Sequence, residues 1–570
     1  MKARTIKRFL IQAALTVFLL YPGIGFCGSH FLKIGLSDEP KTLNIWLASD
    51  RWSLRVLSQI YQPLFTRDPE SMEMIPWLAA QDPVYDEASI SYTVTLRESK
   101  WSDGSEITAE DVAFTGNIIR DLKIPRHFSK WDFIKKIEVV DKKTVRFYLE
   151  EPMAIFADRT LTTPIVCKKE WEKIYQEIKK TDKPLVALLN YNIEKPVGNG
   201  PFTVREWKKG AYLFLEKNKH FFGLGQTIEG RVLGPFIDGV IYKFFGTSDT
   251  AILSLKKGDI DMFWWAIQAG YLDDLKTDKN IQLHFNDRSA MYYMGFNLRK
   301  PPFNDVNFRR AVAILIDKGF IISRILQDQG VKMDSVVPPG NKFWYSKQAP
   351  DYGEGLTQDE RIKRAFQVLK DSGYSWEVPP VDGSGKVVKG KGVRLPNGQP
   401  MGSFSILTPP SDYDPQRAMT GLIIQEWLRA MGIPASGKPM AFDALVDQVK
   451  VNRDFDAFIL AYGQLSIDPD WIRNFFHSKN DKVRGENQAG YRNPDFDRIS
   501  DQSARMIDKN ARRKLICDMQ AIIKKDLPYI PLYLPKMIEA VRTDRFAGWV
   551  DALEGIGSIW SFCMLKPIGK

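Results

Sequence analysis

Apolar and polar positions alternate from Ser91 to Leu96, with Tyr92, Val94 and Leu96 on one face and Ser91, Thr93 and Thr95 on the other, the period of a half-buried strand. Trp101, Ser102, Asp103 and Gly104 then read as a turn, because Asp supplies local hydrogen bonds and Gly permissive backbone angles. Thr108, with Asp111 three residues on, predicts a capped helix carrying Val112, Ala113, Ile118 and Ile119. Alternation also predicts a strand from Phe31, a hairpin over 137–149 turned at Asp141, Lys142 and Lys143, and strands over 211–216, 237–245 and 455–461. A glycine turn at 197–200 feeds the strand that pairs with 211–216. Helical periodicity covers 247–255, 308–326, 359–369, 419–430 and 512–525. The Gly-, Pro- and Lys-rich stretch 377–400 reads as an exposed hairpin or loop. Strands and helices mix without a strict βαβ rhythm, which predicts a mixed α+β protein over a doubly wound parallel one.

The chain has 570 residues, too many for one hydrophobic core, so about two or three domains are expected. Lys2, Arg4, Lys7 and Arg8 precede an apolar run from Phe9 to Tyr21, followed by small residues up to Cys27 and Gly28. A basic start, a short apolar stretch and small residues describe a secretory signal peptide over 1–27. The run is short for a membrane span. Cys27 raises lipid anchoring as an alternative, against which Phe26 stands where a lipobox wants a small residue.

Removing residues 1–27 takes away four positive and no negative charges, lowering the formal charge from +11 to +7. The excess is dispersed among acids, a solvated surface and not a nucleic-acid footprint. Cys167, Cys517 and Cys563 remain; one disulfide or three buried free thiols both fit an exported chain. His30, His127, His220, His284 and His477 are scattered without metal-ligand spacing, and no G-x-S-x-G elbow occurs. Gly385 and Lys386 lack the upstream glycine and following Ser or Thr of a phosphate loop. No cofactor is indicated, and an enzyme is the minor reading.

The wording of residues 91–119, SYTVTLRESKWSDGSEITAEDVAFTGNII, closely resembles the signature of family 5 extracellular solute-binding proteins, the dipeptide/oligopeptide class serving ABC importers. Asp38–Leu43, Asp141–Phe147, Val197–Phe202, Lys257–Asp261, Pro302–Val312, Asp371–Tyr374, Asp454–Ala457 and Pro528–Tyr533 are similar to further patterns of that family, in order along 34–534. The resemblance implies a bilobal periplasmic-binding-protein fold of the large, three-domain type. Domain I would comprise 28–51, 190–283 and 536–570, domain II 52–189, and domain III 284–535. It also implies a monomer in the periplasm that takes a peptide or peptide-like solute and delivers it to an inner-membrane ABC permease.

A solute cleft needs aromatic walls and a few polar groups that fix orientation. Glu39 and Trp52 flank the first loop; Trp264 and Trp265, adjacent in a strand, point to opposite faces, so at most one lines a cleft. Tyr292 and Tyr293 sit at the implied hinge. The sharpest segment is Tyr462–Trp471. The family's peptide binders place an Asp there that anchors the ligand ammonium, and a buried ammonium requires such a partner. Aligning Tyr462 and Asp468 with the family pattern puts Leu465 at that position, which weakens ordinary peptide recognition. Gln464 offers a neutral hydrogen-bonding group; Asp468, Asp470 or Glu39 are substitute anchors, although an Asp-Pro pair more often starts a turn or helix. Trp471 completes the candidates. The alternatives are an oligosaccharide-binding member, a ligand-dependent sensor subunit and, least favoured, a secreted hydrolase.

Overall fold

The structure is a computed structural model describing residues 30–347 and 352–569. The predicted signal peptide and Cys27 lie outside the described residues. Among those described, no helix is long and apolar enough to cross a membrane.

Three sheets organise the chain. The first has seven strands in the spatial order Ile281–Asn286, Met537–Arg542, Met262–Phe263, Phe31–Leu36, Gly239–Phe244, Tyr212–Lys217 and Phe202–Lys208. Phe31–Leu36 runs parallel to both its neighbours and the other pairings are antiparallel. The second sheet is antiparallel, in the order Val84–Asp86, Ser91–Thr95, Thr144–Leu149 and Ile134–Val139. Helix Ala109–Asp121 packs on it, and its entry carries the expected capping box between Thr108 and Asp111. One continuous core joins these sheets, running from Ile34 and Val240 to Val94 and Phe147, so they form a single lobe.

The third sheet builds the second lobe: Gly330–Lys332, Tyr529–Pro535, Met291–Phe296, Ala457–Tyr462, Phe404–Thr408 and Ala435–Pro439. Its central strands are apolar at nearly every position because both faces are covered. Met294, Phe296, Ile459 and Ile406 enter one core, while Tyr293, Phe458, Leu460 and Leu407 enter the other. Helices Val306–Leu315 and Pro415–Ala430 cover the first face, and Lys509–Asp526 the second.

The predicted helix 308–326 is interrupted. Val306–Leu315 ends at Ile316, and Asp317 caps a new start by accepting the Phe320 N–H at 3.0 Å. The carbonyls freed at the break are met by buried Arg361, which donates to Ile314 O at 2.9 Å and Ile316 O at 3.2 Å. Apolar periodicity continues through the break, which is why pattern alone merges the two pieces. Cys167, Cys517 and Cys563 are all free thiols, Cys167 and Cys563 buried.

The lobes are joined by residues 287–290 and by Lys536, two crossovers lying side by side. Ile281–Asn286 pairs with Met537–Arg542 in one lobe, and Met291–Phe296 pairs with Tyr529–Pro535 in the other. Together they make one antiparallel ribbon that passes from sheet to sheet. Its pairing slips at a bulge between Tyr292 and Tyr293, and Lys536 Nζ meets Asp287 Oδ1 at 2.5 Å across the crossovers. The strand holding His284 therefore stays in the first sheet as far as Asn286.

Candidate functional site

A cleft of about 880 Å³ opens between the lobes. One wall comes from the first lobe, with Arg67, Ser129, Lys130, Ile155, Asp158, Arg159 and Thr162. The opposite wall is the loop and helix start 464–474, and Ser289, Leu553 and Glu554 form the end nearest the crossovers. The lobes also touch at a rim. Ala154 N–H donates to Ala504 O at 3.0 Å, Arg505 pairs with Glu151 at 3.1 Å, and Lys509 with Glu73 at 3.1 Å. Ile507 packs onto the first lobe's core beside these contacts.

Gln464, Leu465, Asp468 and Trp471 line this cavity. Gln464 is exposed. Leu465 turns its side chain into the second lobe's core and donates its N–H to Ser289 O at 2.6 Å. Trp471 is the cleft end of an aromatic column. Tyr529 and Tyr293 lie 4.4 Å apart, Tyr293 and Tyr462 stack at 5.4 Å, Tyr462 and Phe475 at 4.1 Å, and Phe475 meets Trp471 at 5.2 Å. Burial raises the phenol pKa of Tyr293, Tyr462 and Tyr529 well above its ordinary value, so all three are neutral hydrogen-bonding groups. The Tyr462 hydroxyl accepts from Gln488 Nε2 at 3.1 Å.

Asp468 sits at the cavity edge with both oxygens on Arg512, one at 2.7 Å. Burial lowers the guanidinium pKa, but Asp468 outweighs it and the net shift is upward. Its carboxylate is thus occupied inside the lobe. Glu39 is also occupied: it accepts Trp207 Nε1–H at 2.8 Å and Gly210 N–H at 3.0 Å, fixing the hairpin of Phe202–Lys208 and Tyr212–Lys217.

The remaining candidates stand outside the cavity lining. Trp264 is core, stacked on Tyr242 and packed against Phe562. Trp265 is half-buried beside Trp52 at 5.3 Å, so the two adjacent tryptophans do part company. Arg51 lies 4.7 Å from the centre of the Trp265 ring, and Arg55 lies over Trp264 while donating to its carbonyl. Burial pushes the Arg55 guanidinium down to about 10. Tyr292 stacks on Tyr533 at 5.1 Å, with Arg417 6.0 Å from its ring.

Lys130, Arg159, Arg473, Ser289 and Glu554 escaped the sequence reading. They belong to no shared motif, and only folding brings them to one cavity. Glu554 alone carries a local hint, a side chain at φ +71° followed by Gly555 at φ +111°. Among the described residues no three His, Cys, Asp or Glu side chains converge as metal ligands. A second cavity, of about 320 Å³, lies within the second lobe beneath 352–357, away from the interlobe cleft.

Comparison with known proteins follows the same architecture. Residues 73–483 match the family described as bacterial extracellular solute-binding proteins, family 5 Middle. The oligopeptide-binding protein AppA of Bacillus subtilis (strain 168) is 27% identical over 513 residues, covering 88% of this chain and 86% of that protein. The structure of AppA from Bacillus subtilis in complex with a nonapeptide superposes with TM-score 0.63 at 25% identity, over 94% of this chain and 99% of AppA. The unliganded open form of the periplasmic murein tripeptide binding protein MppA is similar in fold, with TM-score 0.75 at 17% identity, over 95% and 98% of the two chains.

Proposed function

Because this chain belongs to the family 5 bacterial extracellular solute-binding proteins, we propose that it captures a peptide or peptide-like solute between its lobes and presents the closed form to an ABC permease. The observation that carries this reading is the cleft itself. It is walled by both lobes, and the chain passes between them at two adjacent crossovers, so closure about the ribbon would bury a solute from both sides. The work is selective binding, not bond making: the cleft carboxylates are engaged in internal pairs that fix loops. The protein acts outside the cytoplasm, in the periplasm, as a monomer. Its first lobe comprises domains I and II and its second lobe domain III, with divisions near residues 52, 190, 284–290 and 536.

The test is a thermal-shift screen with peptide pools and neutral oligosaccharides, followed by small-angle scattering with each hit. Ligand that binds only the folded state stabilises it by about 2.7 kcal/mol at a hundredfold excess over Kd. Stabilisation by peptides with a fall in radius of gyration is expected. Stabilisation by sugars with silence from every peptide pool would replace the peptide reading by a saccharide one.

A further inference from the structure

Charge in the cleft is unequal once its internal pairs are set aside. Asp158 is held by Arg67, Asp470 by Arg473 at 3.2 Å, and Asp468 by Arg512. Glu554 accepts the Ser289 N–H at 2.5 Å and lies 3.7 Å from Arg288, with Arg51 also in its field. Among the described residues these four are the carboxylates that line the cavity, and each is engaged. On the first lobe's wall Lys130 and Arg159 have no carboxylate partner among the described residues, and Arg126 stands close enough to act on Lys130. Arg159 rests over the Phe133 ring at 5.3 Å, which orients the guanidinium without neutralising it.

That arrangement is costly for an empty surface. Lys130 is half-buried, and burial together with Arg126 and Arg159 lowers its ammonium pKa. A lysine on an ordinary surface turns its head to water and away from like charge. On the facing wall Leu465 is apolar and Gln464 neutral, so a solute ammonium would find no uncommitted carboxylate there. Resting on the solute-binding reading above, we propose that the cleft selects an anionic solute, its carboxylate or phosphate seated against Lys130 and Arg159 and its other end free of a charged amine.

The experiment is isothermal titration calorimetry on the exported full chain with a charge-graded set. The probes are acetyl-Ala-Glu-Ala, Ala-Glu-Ala, Ala-Ala-Ala and Ala-Ala-Ala-amide; acetyl-Ala-phosphoserine-Ala separates phosphate from carboxylate, and a uronic-acid disaccharide supplies an acidic non-peptide. Affinity should rise with negative charge, by roughly tenfold or more from the amide to the acetylated acidic peptide, and weaken with salt. K130Q/R159Q should abolish the preference while its melting temperature holds. K130Q alone should reduce it, which keeps the test open if the double variant folds poorly. Equal or tighter binding of the neutral and cationic peptides, an unchanged preference in K130Q/R159Q, or no binding by any acidic probe would each overturn the inference. Tight neutral-peptide binding would do so while leaving the peptide reading intact. Binding of the acidic disaccharide with no peptide bound would sustain the inference and remove the peptide reading.

Discussion

Replacing Asp468 by Ala would strand a charge. The Arg512 side chain is 3% exposed and that of Asp468 7%, so water cannot replace the lost carboxylate. Among the described residues Arg512 would keep a bond from Nε to Ser503 O at 3.0 Å, the face of Trp344 at 5.0 Å and the more distant charge of Asp470. Breaking one side of a buried ion pair costs about 3–5 kcal/mol, because the surviving ion keeps its desolvation penalty. For a unit the size of the second lobe, each kcal/mol lowers Tm by about 2–4 °C, so D468A should drop that lobe's transition by roughly 6–20 °C in calorimetry without ligand. D468N, which retains a hydrogen-bond acceptor, should fall between variant and parent. Removing both partners in D468L/R512M should recover most of the loss, since an apolar replacement leaves no orphan charge. A D468A variant that melts like the parent yet loses solute affinity would show Asp468 to be a ligand contact and not a strut.

Two further outcomes follow from named contacts. Burial pushes the Glu170 carboxyl up from 4.5 to about 7, against the pull of the Val197 N–H that one oxygen accepts at 3.0 Å. A raised folded-state pKa means its favourable contribution is full below pH 4.5 and lost as pH rises to about 7. Discounted for partial exposure, that loss is about 1–3 kcal/mol. E170Q should therefore out-melt the parent at pH 8 and match it near pH 5; a pH-independent difference between them would contradict this. At Gly198 a Cβ would overlap the carbonyl oxygen of Ile60 at the end of helix Arg51–Ile60. G198A should lower the unfolding free energy by about 2 kcal/mol or more, read as a lower denaturant midpoint at constant slope, and an unchanged midpoint would refute the close-packing account.

The sequence was most readable where structure is local. The Ser91–Thr95 strand, the Thr108 cap and the glycine turn are each decided by neighbours within a few positions. The structure adds how two such pieces are joined: Ser102 N–H donates to Gly198 O at 2.8 Å, and Gly198 N–H returns to Ser102 Oγ at 3.2 Å. The turn of one motif is thus clamped to the loop of the other. The break at Asp317 was hidden because the apolar stripe runs through it, and the buried Arg361 that makes it tolerable lies far along the chain. Gln464, Leu465, Asp468 and Trp471 share one recognisable segment, and that segment runs along the cleft. Asp468 is committed to Arg512, a partner no spacing rule supplies. Lys130 and Arg159 read as two of many surface cations until folding sets them side by side with their counter-charges elsewhere.

The interlobe ribbon also fixes the order in which the molecule can be completed. Strand Met537–Arg542 lies second from the edge of the seven-stranded sheet, between Met262–Phe263 and Ile281–Asn286, yet comes from near the end of the chain. The whole second lobe is inserted between two strands that pair with each other. As the chain emerges from its amino end, every strand of the inserted lobe is available by Pro535, while Ile281–Asn286 still lacks its neighbour. Closing the first sheet means joining segments separated by the entire insert, the kind of distant contact that forms late. The older part of the chain must wait for the younger, and the cleft comes into being only once Met537–Arg542 has slotted between its neighbours.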